Sequence, residues 1–341
     1  MHLYRQRLMD ALRTETGSIE LITLDPPAPL LPGRIGYQWS RWWSYPQMIQ
    51  RLPDDSLLHV TDHSYGELVS HFGGASLVTV HDVIPWLMHH GAIPGARIGV
   101  LGWQLFSRAL AGLARADQIL AVSRSTADDL LAIHPELRSR ITVIPHGVEE
   151  SFFTAGQKDK PAHDGIWIGH VGNNWAYKNP LGAVTIAGQL AEQLPKPLIF
   201  LKVGDGLSAQ LQDLLAKAGI AYRHIAARTS GELIAAYQKM DLLLFPSWYE
   251  GFGWPPLEAM ALGVPVVVSD RGSLKEYAVP GAAHTLANPA RCTSAEVNRL
   301  VALCTRSMEK NEAARRGRAW VEQFRWQRTA EATMQLYRNL V

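Results

Sequence analysis

The 341 residues carry 33 basic and 31 acidic side chains, a formal net charge of +2, which excludes the basic footprint of a nucleic-acid binder. Hydrophobic residues at 47% and charged residues at 19% describe a globular chain, and no apolar run approaches the roughly 18 residues of a membrane span. The length allows two domains of ordinary size, and the two cysteines, Cys292 and Cys304, match no metal or redox spacing and read as reduced thiols of a cytoplasmic protein.

The opening "MHLYRQRLMDALR" is polar and amphipathic, unlike a signal peptide, and Leu3–Arg13 reads as a helix. Apolar runs then follow as strands of a first sheet: Ile19–Leu24, Leu57–Thr61, Ala75–Asp82, Gln118–Ser123 and Arg140–Pro145. The helical "TADDLLAI" lies between the last two. A first α/β domain of this kind opens with a strand and a glycine-rich turn. Here the chain starts in a helix-like segment, so either that strand is absent or the given start lies downstream of it. Between the first two runs, "GYQWSRWWSYPQ" crowds five large rings beside Arg34 and Arg41. Trp39, Trp42 and Trp43 in it read as an acceptor surface, as a peripheral membrane contact or as packing.

Phe152–Gly165 is polar with Gly and Pro and reads as a linker. A second series follows: "IWIGHVG", "PLIFLKVG", "IAYRHI", "DLLLFP" and "VPVVVS", with helices starting near Pro180, Ser208, Ser230 and Pro256. Arg318–Leu340 is a long amphipathic helix or a helix pair. Two successive α/β series predict two Rossmann-like, doubly wound domains facing a central cleft. The expected division is 1–155, 156–317, and a C-terminal helix over 318–341 that packs back on the first domain.

The densest chemistry lies in "SWYEGFGWPPLEAM", Ser247–Met260. A buried strand precedes it and helix formers follow, ending at the cap signal Gly263. The loop therefore lies beyond the carboxyl end of a strand, where ligands bind in such sheets. Gly251 and Gly253 let a ligand approach the main chain. Pro255 and Pro256 suit a first helical turn and leave Leu257 and Glu258 as the first free amides, which attract an anion. Glu258 suits ribose hydroxyls, and Glu250 suits sugar hydroxyls or developing positive charge. The plainer reading is a proline-initiated helix with a dipole-stabilising glutamate. In "HVGNNWAYKNP", Lys178 stands at a helix start, which dipole logic disfavours unless a phosphate is its partner. At the end of "SLVTVHD", His81 and Asp82 face the expected cleft, Asp82 either orienting the histidine or capping the next helix. Ser123 and Thr126 either reach the cleft or cap a helix.

Taken in order, "TVHD", "AVSRSTADDL", "VIPHGVE", "HVGNNWAYKNP", "EGFGWPPLE" and "VPVVVSDRGSLKEYA" resemble the retaining nucleotide-sugar glycosyltransferases of family 4, which have the GT-B fold. The resemblance is strongest over 165–280. It implies that Glu250 lies beside the donor sugar, with Gly251, Phe252 and Gly253 amides on its hydroxyls. It further implies Leu257 N–H on the diphosphate, Glu258 on the ribose, Lys178 neutralising the departing diphosphate, and His81 near donor sugar and acceptor. Gly172 and Asn173 belong to the donor side, and the base is expected near His224–Arg228. Many relatives carry an arginine where Asn173 stands, so the diphosphate clamp either has one cation fewer or recruits Arg228 or Lys202.

The implied enzyme moves a hexose from a nucleoside-diphosphate sugar, such as GDP-mannose or a UDP-hexose, to a hydroxyl acceptor with retention. The donor is a substrate; no cofactor is expected. The acceptor is expected to be a glycan, a lipid-linked species or a small molecule, in polysaccharide or glycolipid synthesis at the inner face of the plasma membrane. Lacking an Asp-x-Asp, the sequence gives no reason for a metal. Two other readings stay open: a nucleotide-sugar 2-epimerase and a non-catalytic nucleotide-sugar-binding subunit.

Overall fold

A computed structural model describes residues 2–15, 20–25, 39–156, 164–277 and 281–341. The chain splits into two compact units. The first is Met1–His89, Ile98–Gly147 and Trp326–Val341; the second is His90–Arg97 and Val148–Arg325.

The first unit is built on four parallel strands in the order β1-β2-β3-β4: β1 (Leu57–Val60), β2 (Ala75–Val80), β3 (Gln118–Ala121) and β4 (Ile141–Val143). Val78 and Val80 of β2 and Ile119 of β3 pack with Leu68, Leu113, Leu130 and Leu137 in one core. Helices cover both faces of the central strands, so consecutive residues of β2 are buried and the strand reads as an unbroken apolar run. The last helix, Trp326–Arg338, lies against the first, His2–Leu12. Its Thr329 hydroxyl donates to the Pro145 carbonyl at 2.8 Å, and Tyr337 Oη sits 2.6 Å from His59 Nδ1.

The strand expected over Ile19–Leu24 is not formed: Glu20–Leu24 is irregular, and Ile19 lies outside the described residues. A strand exists through its ladder, and β1 pairs only with β2 among the described residues. A cavity of about 830 Å³, lined by Leu21–Leu24 and Leu57–Val60 among others, occupies the space beside this edge.

In the second unit all six strands are parallel, in the order β10-β9-β8-β5-β6-β7. They are β5 (Ile166–Gly172), β6 (Leu198–Gly204), β7 (Ala221–Ile225), β8 (Leu242–Phe245), β9 (Val266–Ser269) and β10 (His284–Leu286). β8 and β9 are buried along their whole length, whereas the edge strand β7 is largely exposed. The chain winds outward from β5 through β6 to β7, then returns to place β8 on the other side of β5. The carboxyl ends of β5 and β8 therefore flank the point where strand order reverses, the usual ligand crevice of such sheets.

Asn179 ties these two ends together. Its side chain caps the helix Pro180–Ala191 through Gly182 N at 3.0 Å and donates to the Pro246 carbonyl at 2.9 Å.

Three further expectations are refined. β10 was not foreseen, because three residues are too few for a periodic signal. Phe152 and Phe153, read as linker, are buried in the helix Glu150–Ala155; residues 157–163 of that stretch lie outside the described residues. The C-terminal segment is a helix pair, Ser307–Val321 and Trp326–Arg338. Buried Phe324 interrupts it, and its carbonyl accepts from Val148 N at 2.8 Å.

Candidate functional site

Two loops of the second unit bring its chemistry together. The loop after β5 carries Asn173, Asn174 and Lys178, and the loop after β8 carries Glu250 to Gly253. They are joined where Trp248 N donates to the Tyr177 carbonyl at 2.7 Å. Lys178 Nζ lies 2.8 Å from both carboxylate oxygens of Glu250. The two side chains are only 13% and 8% exposed, and the ammonium lies over the rings of Phe245 and Tyr177, 5.2 and 5.3 Å from their centroids. This is an enclosed, charge-assisted pair, stronger than a surface ion pair.

The glycine loop is held from behind. Ser273 N donates to the Glu250 carbonyl at 3.0 Å. The Ser273 hydroxyl, at 2.7 Å, and the Tyr277 hydroxyl both donate to the Phe252 carbonyl. A planar trans peptide sets C=O and the following N–H in opposite directions, so these bonds turn the Gly251 and Gly253 amides away from the Ser273–Tyr277 side. Gly253 takes φ +87°, and Gly272, at φ +51°, runs so close that an added Cβ would fall 2.6 Å from the Glu250 carbonyl oxygen. Both positions require glycine.

The helix after the loop begins at Trp254, two residues before the expected Pro256. Leu257 N–H therefore stands four residues after Gly253, the position of the first intrahelical donor, and is not the first free amide. Leu257 is fully buried. Glu258 accepts from the Tyr237 hydroxyl at 2.7 Å. Burial raises its pKa to about 7, against the lowering effect of Tyr237; Glu149 raises it further and Lys178 lowers it. Asn173 Oδ1 accepts from Trp175 N at 3.2 Å, and Asn174 Nδ2 donates to the Gly206 carbonyl at 2.6 Å. Arg228 is exposed, its amide bound to Glu232 at 2.7 Å.

In the first unit, His81, expected at a cleft-facing strand end, is 6% exposed. Its Nε2 donates to the Thr61 carbonyl at 2.9 Å, and its amide donates to His63 Nδ1 at 3.3 Å. Tyr4 stands edge-on to its ring with centroids 4.8 Å apart, and His146 lies at 5.2 Å. Burial and the neighbouring His63 push its pKa down to about 3, so the ring is neutral. Asp82 caps the next turn through Ile84 N at 2.9 Å. Ser123 likewise caps its helix through Thr126 N at 3.0 Å.

The family of glycosyltransferases described as family 4 matches residues 3–152, and the one described as glycosyl transferases group 1 matches residues 154–318. The chain belongs to the group 1, family 4 glycosyltransferases. A D-inositol 3-phosphate glycosyltransferase of Paenarthrobacter aurescens is 28% identical over 238 residues, covering 66% of this chain and 58% of the relative. The chain thus spans less than two thirds of that relative's length. Among solved structures, a sucrose-phosphate synthase from Thermosynechococcus elongatus matches with a TM-score of 0.72 at 20% identity, over 99% of this chain and 92% of its own. HepE of Anabaena, in complex with UDP and glucose, matches with a TM-score of 0.68 at 16% identity, over 91% and 84%. At such identities the likeness is one of fold, and that fold is GT-B.

Within the first unit the three tryptophans separate. Trp42 is half-buried between the guanidinium groups of Arg41 and Arg108, 5.2 and 5.1 Å from its ring. Trp39 and Trp43 are 53% and 56% exposed, with centroids 5.9 Å apart. No helix among the described residues is long and apolar enough to cross a membrane. Among the described residues no cluster of three or more His, Cys, Asp or Glu is placed to hold a metal. Sequence reasoning missed Tyr237, Ser273 and Tyr277 as supports of the loop. Each is an ordinary helix-face residue in the sequence, and only the fold aims its hydroxyl.

Proposed function

We propose that the chain binds a nucleoside-diphosphate sugar at the β5 and β8 loops of its second unit and transfers the hexose to a hydroxyl acceptor with retention of configuration. The observation that carries this is the enclosed Lys178–Glu250 pair at the switch point, beside the Gly251–Gly253 turn. Without ligand the two charges satisfy each other. An arriving diphosphate competes for the Lys178 ammonium and releases Glu250 to accept from sugar hydroxyls. As the glycosidic C–O bond breaks, negative charge grows on the leaving diphosphate, and a fixed cation in a dry site lowers that barrier. Glu258, which accepts from the Tyr237 hydroxyl without ligand, accepts from ribose hydroxyls when the donor is bound.

In this reading the acceptor attacks on the face from which the diphosphate leaves, and a leaving-group oxygen takes its proton. No enzyme nucleophile and no metal is needed. His81, with Nε2 engaged by Thr61, contributes through its main chain. The exposed Trp39 and Trp43 are the proposed acceptor contacts, and glycans, lipid-linked species and polyol phosphates are the acceptor classes to examine. The UDP and glucose named for HepE make UDP-hexoses the first donors to try, with GDP-mannose next.

Saturation-transfer NMR against UDP-, GDP-, ADP- and dTDP-sugars tests the donor site. Binding of one nucleotide class, lost in Lys178→Met and Glu250→Gln, is the expected result. Folded wild-type protein that binds none of them overturns the reading. Turnover that survives EDTA, with an anomeric coupling matching the donor, checks metal independence and retention; a new nucleotide sugar formed without acceptor would mark an epimerase instead.

A further inference from the structure

Lys202 lies in the interior of β6, in register between His170 of β5 and His224 of β7, and its surface is fully buried. Its strand neighbours Leu201 and Val203 are buried apolar residues. A methionine or leucine would fill that position without the desolvation cost of an ammonium, which amounts to several kcal/mol before compensation. The side chain runs toward the carboxyl end of the sheet. Its Nζ donates to the Gly172 carbonyl and, at 3.3 Å, to the Val203 carbonyl. Gly172 is the last residue of β5, and its carbonyl also accepts from Asp205 N at 3.3 Å.

The consequence lies one bond further on. With the Gly172 carbonyl held toward β6 by Lys202 and Asp205 N, peptide planarity turns the Asn173 N–H the other way, away from β6 at the start of the loop that carries Lys178. Lys178 is the other cation here: its charge acts on Lys202, and both act on His170. Two ammonium groups near enough to oppose each other's charge, one of them wholly buried, favour an anion between them in addition to Glu250 and Asp205. Asn173 and Asn174 add no charge, and Lys178 is already shared with Glu250.

We propose that Lys202 is a positioning residue for the donor diphosphate: it holds Gly172 so that the Asn173 amide meets a phosphate oxygen, and it supplies a second positive charge from beneath the loop. This rests on the proposed donor site. The charged and titratable groups facing Lys202 are Asp205, Lys178 with Glu250 beyond it, His170 and His224. Burial lowers its pKa to about 8, Asp205 opposes that shift and Lys178 adds to it. His170 is neutral near pH 7, its own pKa lowered to about 3 by burial and by Lys202. Its Nδ1 donates to the Leu244 carbonyl at 3.0 Å.

Calorimetric titration of the intact chain with UDP and GDP from pH 6.5 to 8.8 tests this, using wild type, Lys202→Met and Lys202→Arg, with uridine and guanosine correcting for the base's own ionisation. Wild-type affinity for the diphosphate should fall as pH rises through about 8, by roughly fivefold at pH 8.8, toward the level of a side chain without charge. At pH 7, Lys202→Met should bind the diphosphate about tenfold more weakly with a flat pH profile and unchanged nucleoside binding, and Lys202→Arg should restore affinity and stay flat to pH 8.8. A flat wild-type profile overturns the proposal without any variant having to fold. So does a folded Lys202→Met protein that keeps wild-type affinity and pH slope. Wild-type protein that binds no nucleoside diphosphate at any pH removes the donor-site reading itself, a distinct outcome.

Discussion

Replacing Lys178 by methionine leaves the Glu250 carboxylate enclosed without its cation. The pair has two 2.8 Å contacts, and its side chains are 13% and 8% exposed. Breaking so enclosed a pair costs about 3–5 kcal/mol, chiefly for the charge left behind. Methionine keeps much of the packing over Phe245 and Tyr177, so the lower end applies, about 3 kcal/mol. At roughly 2–4 °C per kcal/mol for a unit of this size, the second unit's melting transition should drop by about 6–12 °C. Removing both charges, in Lys178→Met/Glu250→Gln, should recover at least about half of that loss, because no unpaired charge remains. The assay is a double-mutant cycle by urea denaturation followed by circular dichroism, with calorimetry to separate the transitions of the two units. A single variant within about 0.5 kcal/mol of wild type and a coupling energy near zero would refute the claim that these groups are paired and dry.

Other consequences are sharper in sign than in size. His59 and His81 in the first unit and His170 in the second have folded pKa values lowered to about 3, mainly by burial. Their neutral forms fold, so the stability they hold is intact above the unfolded value near 6.5 and is lost as pH falls from there toward 3. Each should lose about 1.4 kcal/mol by pH 5.5, which denaturant midpoints at pH 8, 6.5 and 5.5 will detect; equal midpoints would contradict it. Tyr237→Phe removes the hydroxyl that opposes the upward shift of Glu258, so the Glu258 titration should move above about 7. Carboxyl carbon-13 NMR reads this, and an unmoved titration would show that the hydrogen bond does not form. Gly272→Ala puts a Cβ 2.6 Å from the Glu250 carbonyl oxygen at φ +51°. It should cost more than about 1 kcal/mol and also weaken nucleotide binding by displacing Glu250. A normal melt with normal binding would show that the loop has slack there.

Sequence alone determined five of the six strands of the second unit and the four strands of the first, chiefly because a parallel sheet covered on both faces is written as unbroken apolar runs. It also determined the acid-and-glycine loop after β8 and the lysine after β5, since their residue types are costly in a plain turn or at a helix start. The tertiary structure decided what those groups do to one another. Lys178 and Glu250 are 72 residues apart and meet only because strand order reverses between β5 and β8. Leu257 N–H became an intrahelical donor because the helix starts at Trp254, a boundary that two prolines do not mark. Glu20–Leu24 has a strand-like composition and is irregular, lining a cavity beside the open edge of β1 without forming a ladder to it. His81, written at a strand end, is enclosed because Tyr4, His63 and His146 converge on it from other segments. Local preference is set within a few residues, whereas burial, charge pairing and the direction of an amide depend on which distant segments the fold brings alongside.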